Sequence, residues 1–137
     1  MIVYHRTSYA DAIEREGFRD GYYLMPPPVG ELRGVFVSAD WPLDENEGAD
    51  GDTVLAVEIP DELFVEHEHV EEGKTYREAM IPADRLNEHL ASVRRLTGEE
   101  EEELLERRHA TFWTPDGQLR SRWRGQRRGQ LGPSRRV

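Results

Sequence analysis

The sequence predicts a mixed α+β fold, and two kinds of signal predict it. Short apolar runs with strand character recur at "IVYHR", "GVFVS" and "TVLAVEIP", and stretches with helix start and stop signals lie among them. The first strand covers residues 2–6, where Ile2, Val3 and Tyr4 run into the polar end His5-Arg6. Ser8 is placed to cap the helix that follows, with Asp11 three residues on in a capping-box position. Gly17 ends that helix as a C′ glycine does. The stretch "RDGYYLMPPPVGELRG", Arg19 to Gly34, reads as a loop, because consecutive prolines neither donate to a sheet nor continue a helix. Its Tyr22, Tyr23, Leu24 and Met25 are a heavy apolar load for a solvated loop and suit one that packs over a site.

Gly34 to Ser38 is a short buried strand, and "ADWPLDENEGADGD" is an acidic loop with a turn at Asn46-Glu47-Gly48. "TVLAVEIP" alternates as a strand, and Pro60 starts a helical turn, "PDELF". "FVEHEHVEEGKTYREAMIP" reads as two strands around a turn at Gly73. "PADRLN" is a second Pro-initiated turn, and "HLASVRRL" adds a last strand or helix. Thr97-Gly-Glu-Glu100 is a capping box for an acidic helix through about Arg108. The domain is placed at 1–97, the helix at 98–113 and a tail at 114–137. The Gly/Arg/Gln-rich tail carries too little apolar surface to order itself.

With 137 residues the chain is long enough for one core, but 34% charged residues mean that part of it is solvated surface or tail. The absence of cysteine excludes disulfides and thiolate metal sites and fits a reducing compartment. No apolar run reaches the length of a membrane span, and no basic region followed by a long apolar stretch opens the chain. It therefore reads as a soluble, unexported, cytoplasmic protein. The net charge of −10 hides an asymmetry. Residues 114–137 hold seven Arg and one Asp, or +6, which leaves −16 on residues 1–113 from eleven Lys/Arg and twenty-seven Asp/Glu. An acidic body repels polyanions, whereas such a tail attracts them.

Candidate chemistry starts from the histidines. His67-Glu68-His69 on a strand would put both imidazoles on one face, but without a third ligand the pair reads as exposed polar positions. His89 and His109 have no partner pattern. The acidic loop lacks the ligand order of an EF-hand and reads as solvated. No nucleophile elbow and no phosphate-binding glycine loop is present. The basic tail, with Trp123 interleaved, suits RNA or DNA contacts through phosphates and stacking; it equally suits a solubilising or unselected tail. Two features resist a packing explanation. One is His5-Arg6 at the end of the first strand. The other is Glu78, which alternation puts on one face with Tyr76 and Met80, where a carboxylate is costly to bury unless paired. Glu78 either lies at a sheet edge or pairs with Arg6 or Arg77, or it is presented to a cleft.

"YHRTSYADAIEREGF", "GVFVS" and "REAMIPADRLN" together resemble, in order, the motifs of the ADP-ribosyltransferase superfamily. That superfamily includes small bacterial toxins that modify nucleic acids and the related tRNA 2′-phosphotransferases. The resemblance covers residues 4–18, 34–38 and 76–87. It implies a compact split β-sheet of ADP-ribosyltransferase type with short peripheral helices and a nicotinamide-dinucleotide cleft between the two halves. It further implies that His5 bonds a ribose hydroxyl of NAD, that Arg6 suits the pyrophosphate, and that Thr7 supports the strand–helix turn. Tyr22 or Tyr23 would stack on the nicotinamide, Ser38 would line the cleft floor, and Glu78 would be the catalytic carboxylate; no metal is needed. Arg6 departs from the glycine common at its position. Tyr76 stands where arginine-modifying members carry Glu or Gln, which speaks against arginine as acceptor and leaves nucleotide or nucleic-acid acceptors, or a phosphotransferase relative, open. The expectation is an NAD-dependent ADP-ribosyl or related nucleotide transferase, the alternative a catalytically silent nucleotide- or partner-binding module on the same fold.

Overall fold

The β-branched and aromatic run at the N-terminus forms strand β1 (Ile2–Thr7), which pairs along its whole length with β4 (Thr53–Glu58), from Ile2↔Glu58 to Thr7↔Thr53. These features are from a computed structural model, in which residues 1–70 and 72–112 are described, Met25 by its backbone alone. Against β3 (Gly30–Ala39), β1 keeps only the pairs Val3↔Ala39 and Tyr4↔Ser38, and the ladder then stops. β3 pairs with β6 (Glu78–Ile81) from Val35↔Ile81 to Ser38↔Glu78, and through its N-terminal half with β2 (Gly21–Met25). β5 (Glu68–His69) and β7 (Ser92–Arg95) complete an open antiparallel sheet of seven strands, ordered β5-β6-β3-β1-β4-β7 with β2 on β3. The helices α1 (Ala10–Glu16), α2 (Asp61–His67), α3 (Ala83–His89) and α4 (Gly98–Phe112) make the fold α+β.

Cross-strand partners share a face, so the registers assign the sheet's two sides. Val3, Val35, Val37, Ala39, Leu55, Val57, Ala79 and Ile81 form one side, packed against Phe18, Leu63 and Phe64 of α2, and Leu86 of α3. The other side gathers Tyr4, Phe36 and Tyr76 with Trp41, Leu43 and Ala49, and α4 covers it through Leu104 and Phe112. Among the described residues, no helix is long and apolar enough to cross a membrane. The basic tail 114–137, with Trp123, lies outside the described residues.

Four sequence expectations are corrected. The stretch Arg19–Gly34 is a hairpin, because its three prolines fall inside the turn between β2 and β3 and so occupy no ladder position. α1 starts at Ala10 with Tyr9 at its N-cap, so Ser8 does not cap it; the Thr7 Oγ1 instead accepts the Tyr9 N–H at 2.9 Å. His67 is the last residue of α2 and His69 belongs to β5, so the two do not lie on one strand. The acidic loop is anchored rather than merely solvated, since its Trp41, Leu43 and Ala49 are buried.

The remaining joints are polar. The Asn87 side chain accepts the Phe18 N–H at 2.8 Å and donates to the Phe18 carbonyl at 2.9 Å, which ties the end of α1 to α3. Asp20 accepts the Ala83 N–H at the start of α3. The Thr97–Glu100 capping box forms as the sequence predicts, with bonds of 3.0 and 3.1 Å. Arg94, and then the Thr97 N–H, hold the Glu100 carboxyl down to about 2. Gly51 is the least replaceable backbone position. It has φ +135°, and a Cβ there would lie 2.2 Å from the Thr7 carbonyl carbon. Gly51→Ala is expected to destabilise the domain by about 3 kcal/mol and to lower its melting temperature by about 10–20 °C. Urea and thermal unfolding of the variant beside wild type check this.

Candidate functional site

Two cavities flank the N-terminal half of β3, and Tyr23 on β2 borders both. The first, about 520 Å³, lies between the end of β1, α1 and the base of the hairpin, and it is lined by His5, Thr7, Tyr9, Phe18, Tyr23 and Asp50 among others. Its central group is His5. The Nδ1 lies 2.7 Å from the Phe36 carbonyl, which can only accept, so Nδ1 carries the proton and donates it. The ring edge packs against Phe18 at 5.6 Å between centroids. Burial lowers the His5 pKa, and the bond to Phe36 offsets this only in part. The imidazole is therefore neutral at pH 7, with Nε2 a hydrogen-bond acceptor of the kind that a hydroxyl or an amide satisfies.

The second cavity, about 530 Å³, lies between β3, β6 and the loop that follows β3. Aromatic and apolar walls come from Tyr23, Phe36, Tyr76 and Met80, and charged groups from Arg33, Lys74, Glu47 and Glu78, with His67 and His69 beside them. Tyr23 meets Phe36 edge to face, and burial raises its phenol pKa. Glu78 is only 6% exposed. Lys74, four residues earlier, pairs with its carboxylate, and the Lys74 ammonium also lies 5.4 Å from the Tyr76 ring centroid. Glu47 is paired by Arg108 of α4. The two carboxylates are thus each neutralised, and Arg33 adds a positive charge inside a body that is strongly acidic. Among the described residues no cluster of three or more His, Cys, Asp or Glu is placed to hold a metal.

The seven residues singled out in the sequence are distributed as follows. His5, Arg6, Thr7 and Tyr23 border the first cavity, while Glu78 and Tyr23 border the second. The Arg6 guanidinium is committed to packing: its Nε donates to the Leu43 carbonyl at 2.8 Å, and its Nη2 pairs with Glu101 at 2.7 Å. Ser38 is buried beside Glu78 in register, but its hydroxyl donates to the Trp41 carbonyl at 2.8 Å and it borders neither cavity. Tyr22 is half exposed on the hairpin, under the Arg33 guanidinium and bonded to Glu31. The partner of Glu78 is Lys74 rather than Arg6 or Arg77; Arg77 instead forms a two-pronged bond to Glu68, both distances 2.9 Å. Sequence reading passed over Lys74 and Arg33, whereas the turn it placed at Asn46–Gly48 forms as a 3-10 turn and lines the second cavity. A Lys four residues before a Glu reads as a helical pair, and here the segment between them is a bend outside any helix.

Comparison with protein-family models, curated proteins and solved structures finds no match for the chain.

The buried neutral His5 makes stability depend on pH. Because its folded pKa lies below the unfolded value of about 6.5, the unfolded chain binds the extra proton. Its contribution is complete above about pH 6.5 and is lost as pH falls from there toward the folded pKa. His5→Gln keeps a donor for the Phe36 carbonyl and removes the titration. Unfolding free energies taken between pH 8 and 5 should fall less steeply with acid in the variant than in wild type.

Proposed function

We propose that the chain is an NAD-dependent transferase that moves the ADP-ribosyl group, or a closely related nucleotide, to an acceptor. One observation carries this reading: Glu78 is a nearly buried carboxylate on the wall of a cavity that is aromatic, cation-bearing and of small-molecule size. Aromatic walls at Tyr23, Phe36 and Tyr76 suit flat rings, and Arg33 and Lys74 suit phosphates. His5, in the adjoining cavity across Tyr23, supplies an acceptor for a ribose hydroxyl in the other half of the dinucleotide. The stop in the ladder between β1 and β3 agrees with the split sheet that the motif resemblance implies.

In this mechanism the bond between the nicotinamide nitrogen and the ribose C1′ breaks, and its electron pair goes to the pyridinium, which leaves as neutral nicotinamide. Positive charge grows on the ribose, and the Glu78 carboxylate stabilises it electrostatically in the transition state. Bonds from Glu78 to the ribose 2′-hydroxyl strengthen as that charge develops. An acceptor oxygen or nitrogen then bonds to C1′ and releases its proton to solvent. We assign the acceptor to nucleotides or nucleic acids, which the Arg-rich residues 114–137 would recruit through phosphates.

Glu78→Gln tests the chemistry. The variant should keep the wild-type circular dichroism and bind NAD, while nicotinamide release falls by about 100-fold or more. Unchanged turnover in a folded variant overturns the assignment. The ion pair with Lys74 favours a second reading, a silent nucleotide-binding module in which Glu78 is structural. That reading gives a rise in melting temperature with NAD and no nicotinamide release from wild type. Deleting residues 114–137 should weaken RNA or DNA binding and flatten its salt dependence, as the loss of seven Arg requires.

A further inference from the structure

We infer that Arg108 is a positioning residue for the Glu78 cavity, holding in place from α4 the turn that forms one of its walls; this rests on reading the cavity as the ligand site. The wall belongs to the loop between β3 and β4. Asn46, Glu47 and Gly48 line the cavity and sit on or beside a 3-10 turn, Glu45–Glu47. The two ends of the loop are fixed from β1. Arg6 bonds the carbonyls of Leu43 and Gly51, and Gly51 packs against the Thr7 backbone. The middle is different, because the 3-10 turn contributes no buried residue and so is held by polar contacts rather than by packing.

Arg108 supplies the contact that ties this turn to the rest of the molecule. Its two terminal nitrogens reach both Glu47 carboxylate oxygens, one at 2.6 Å. The pair is well shielded, at 21% and 13% side-chain exposure, so it exceeds a surface ion pair in strength. Glu47 Oε1 also accepts the Asp44 N–H at 3.3 Å, so the same carboxylate closes the turn internally and joins it to α4. The Arg108 guanidinium lies 5.7 Å from the Trp41 ring centroid, and Trp41 meets Phe112 edge to face. Loop, tryptophan and helix therefore form one assembly at the cavity, whereas Glu78 stands on β6 and is held there by the ladder to β3. Releasing Arg108 should loosen the wall, add an ordering cost to binding and leave the chemical groups in place.

The test uses the full chain with Trp113→Phe and Trp123→Phe, which leaves Trp41 as the sole tryptophan. Hydrogen exchange at residues 44–50 and acrylamide quenching of Trp41 report the wall without any ligand. In Arg108→Ala, exchange at 44–50 should quicken about tenfold and quenching should rise, while β1, β3 and β4 keep their protection. Glu47→Gln should quicken exchange likewise, and Arg108→Lys should recover part of the loss, since it keeps the charge without the planar fork. KM for NAD should rise about tenfold in Arg108→Ala with kcat within about twofold of wild type. Unchanged exchange at 44–50, an equal loss of protection in all strands, or an unchanged KM in a protein that turns over NAD overturns the inference. A wall that loosens as expected, in a chain that binds no NAD as wild type, upholds the positioning role and overturns the NAD reading instead.

Discussion

The bond from the His5 imidazole to the Phe36 carbonyl lets β1 leave β3. After Tyr4↔Ser38 the ladder between them stops, and the Phe36 carbonyl would lose a backbone partner there. A buried carbonyl left unpaired costs about 1–3 kcal/mol, and the His5 Nδ1–H at 2.7 Å removes that cost. β1 then runs on to Thr7 with β4 as its ladder partner, and space opens beside β3. That space is the His5 cavity, bounded across β3 and the hairpin by the cavity of Glu78.

Alternation along β1 turns this one parting into two layers. His5 follows Val3 onto the face that packs on Phe18 and the short helices, while Arg6 follows Tyr4 onto the face that α4 covers. Arg6 there fastens the loop after β3 and, through Glu101, α4 itself. Thr7 ends the strand by holding the Tyr9 N–H and by leaving room for Gly51, which no side chain can share. Three consecutive residues thus fix a cavity, a layer and a turn.

Those roles explain what could be seen in the sequence. β1, β4 and the Thr97 capping box announce themselves because each is a local pattern of alternation or spacing, and the structure keeps them. The hairpin at Tyr22 to Arg33 was hidden because three prolines outweigh a β-rich composition in any local count, although proline forbids a strand only at paired positions. Glu78 could be singled out, since a carboxylate alternating with Tyr76 and Met80 needs a partner. Its partner could not: Lys74 reaches it around a bend, and neither period describes a bend. The assignment of Arg6 to a phosphate fails to foresee Glu101, because a contact across ninety-five residues leaves no trace in spacing.

The Lys74–Glu78 pair sets what the second cavity can do. A carboxylate this buried beside Tyr76 and Met80 is costly as a lone charge, and the adjacent ammonium is what makes its ionised form tolerable. A ligand that binds at Glu78 has to break or bypass that pair and offer new partners to its two members. A ligand that carries a phosphate and develops positive charge at a second atom answers both, the phosphate taking Lys74 and the growing cation taking Glu78. On the proposed reading, the pair keeps the carboxylate partnered before a ligand arrives and would release it as the charge develops, as a glycosidic cleavage at a nicotinamide ribose would require.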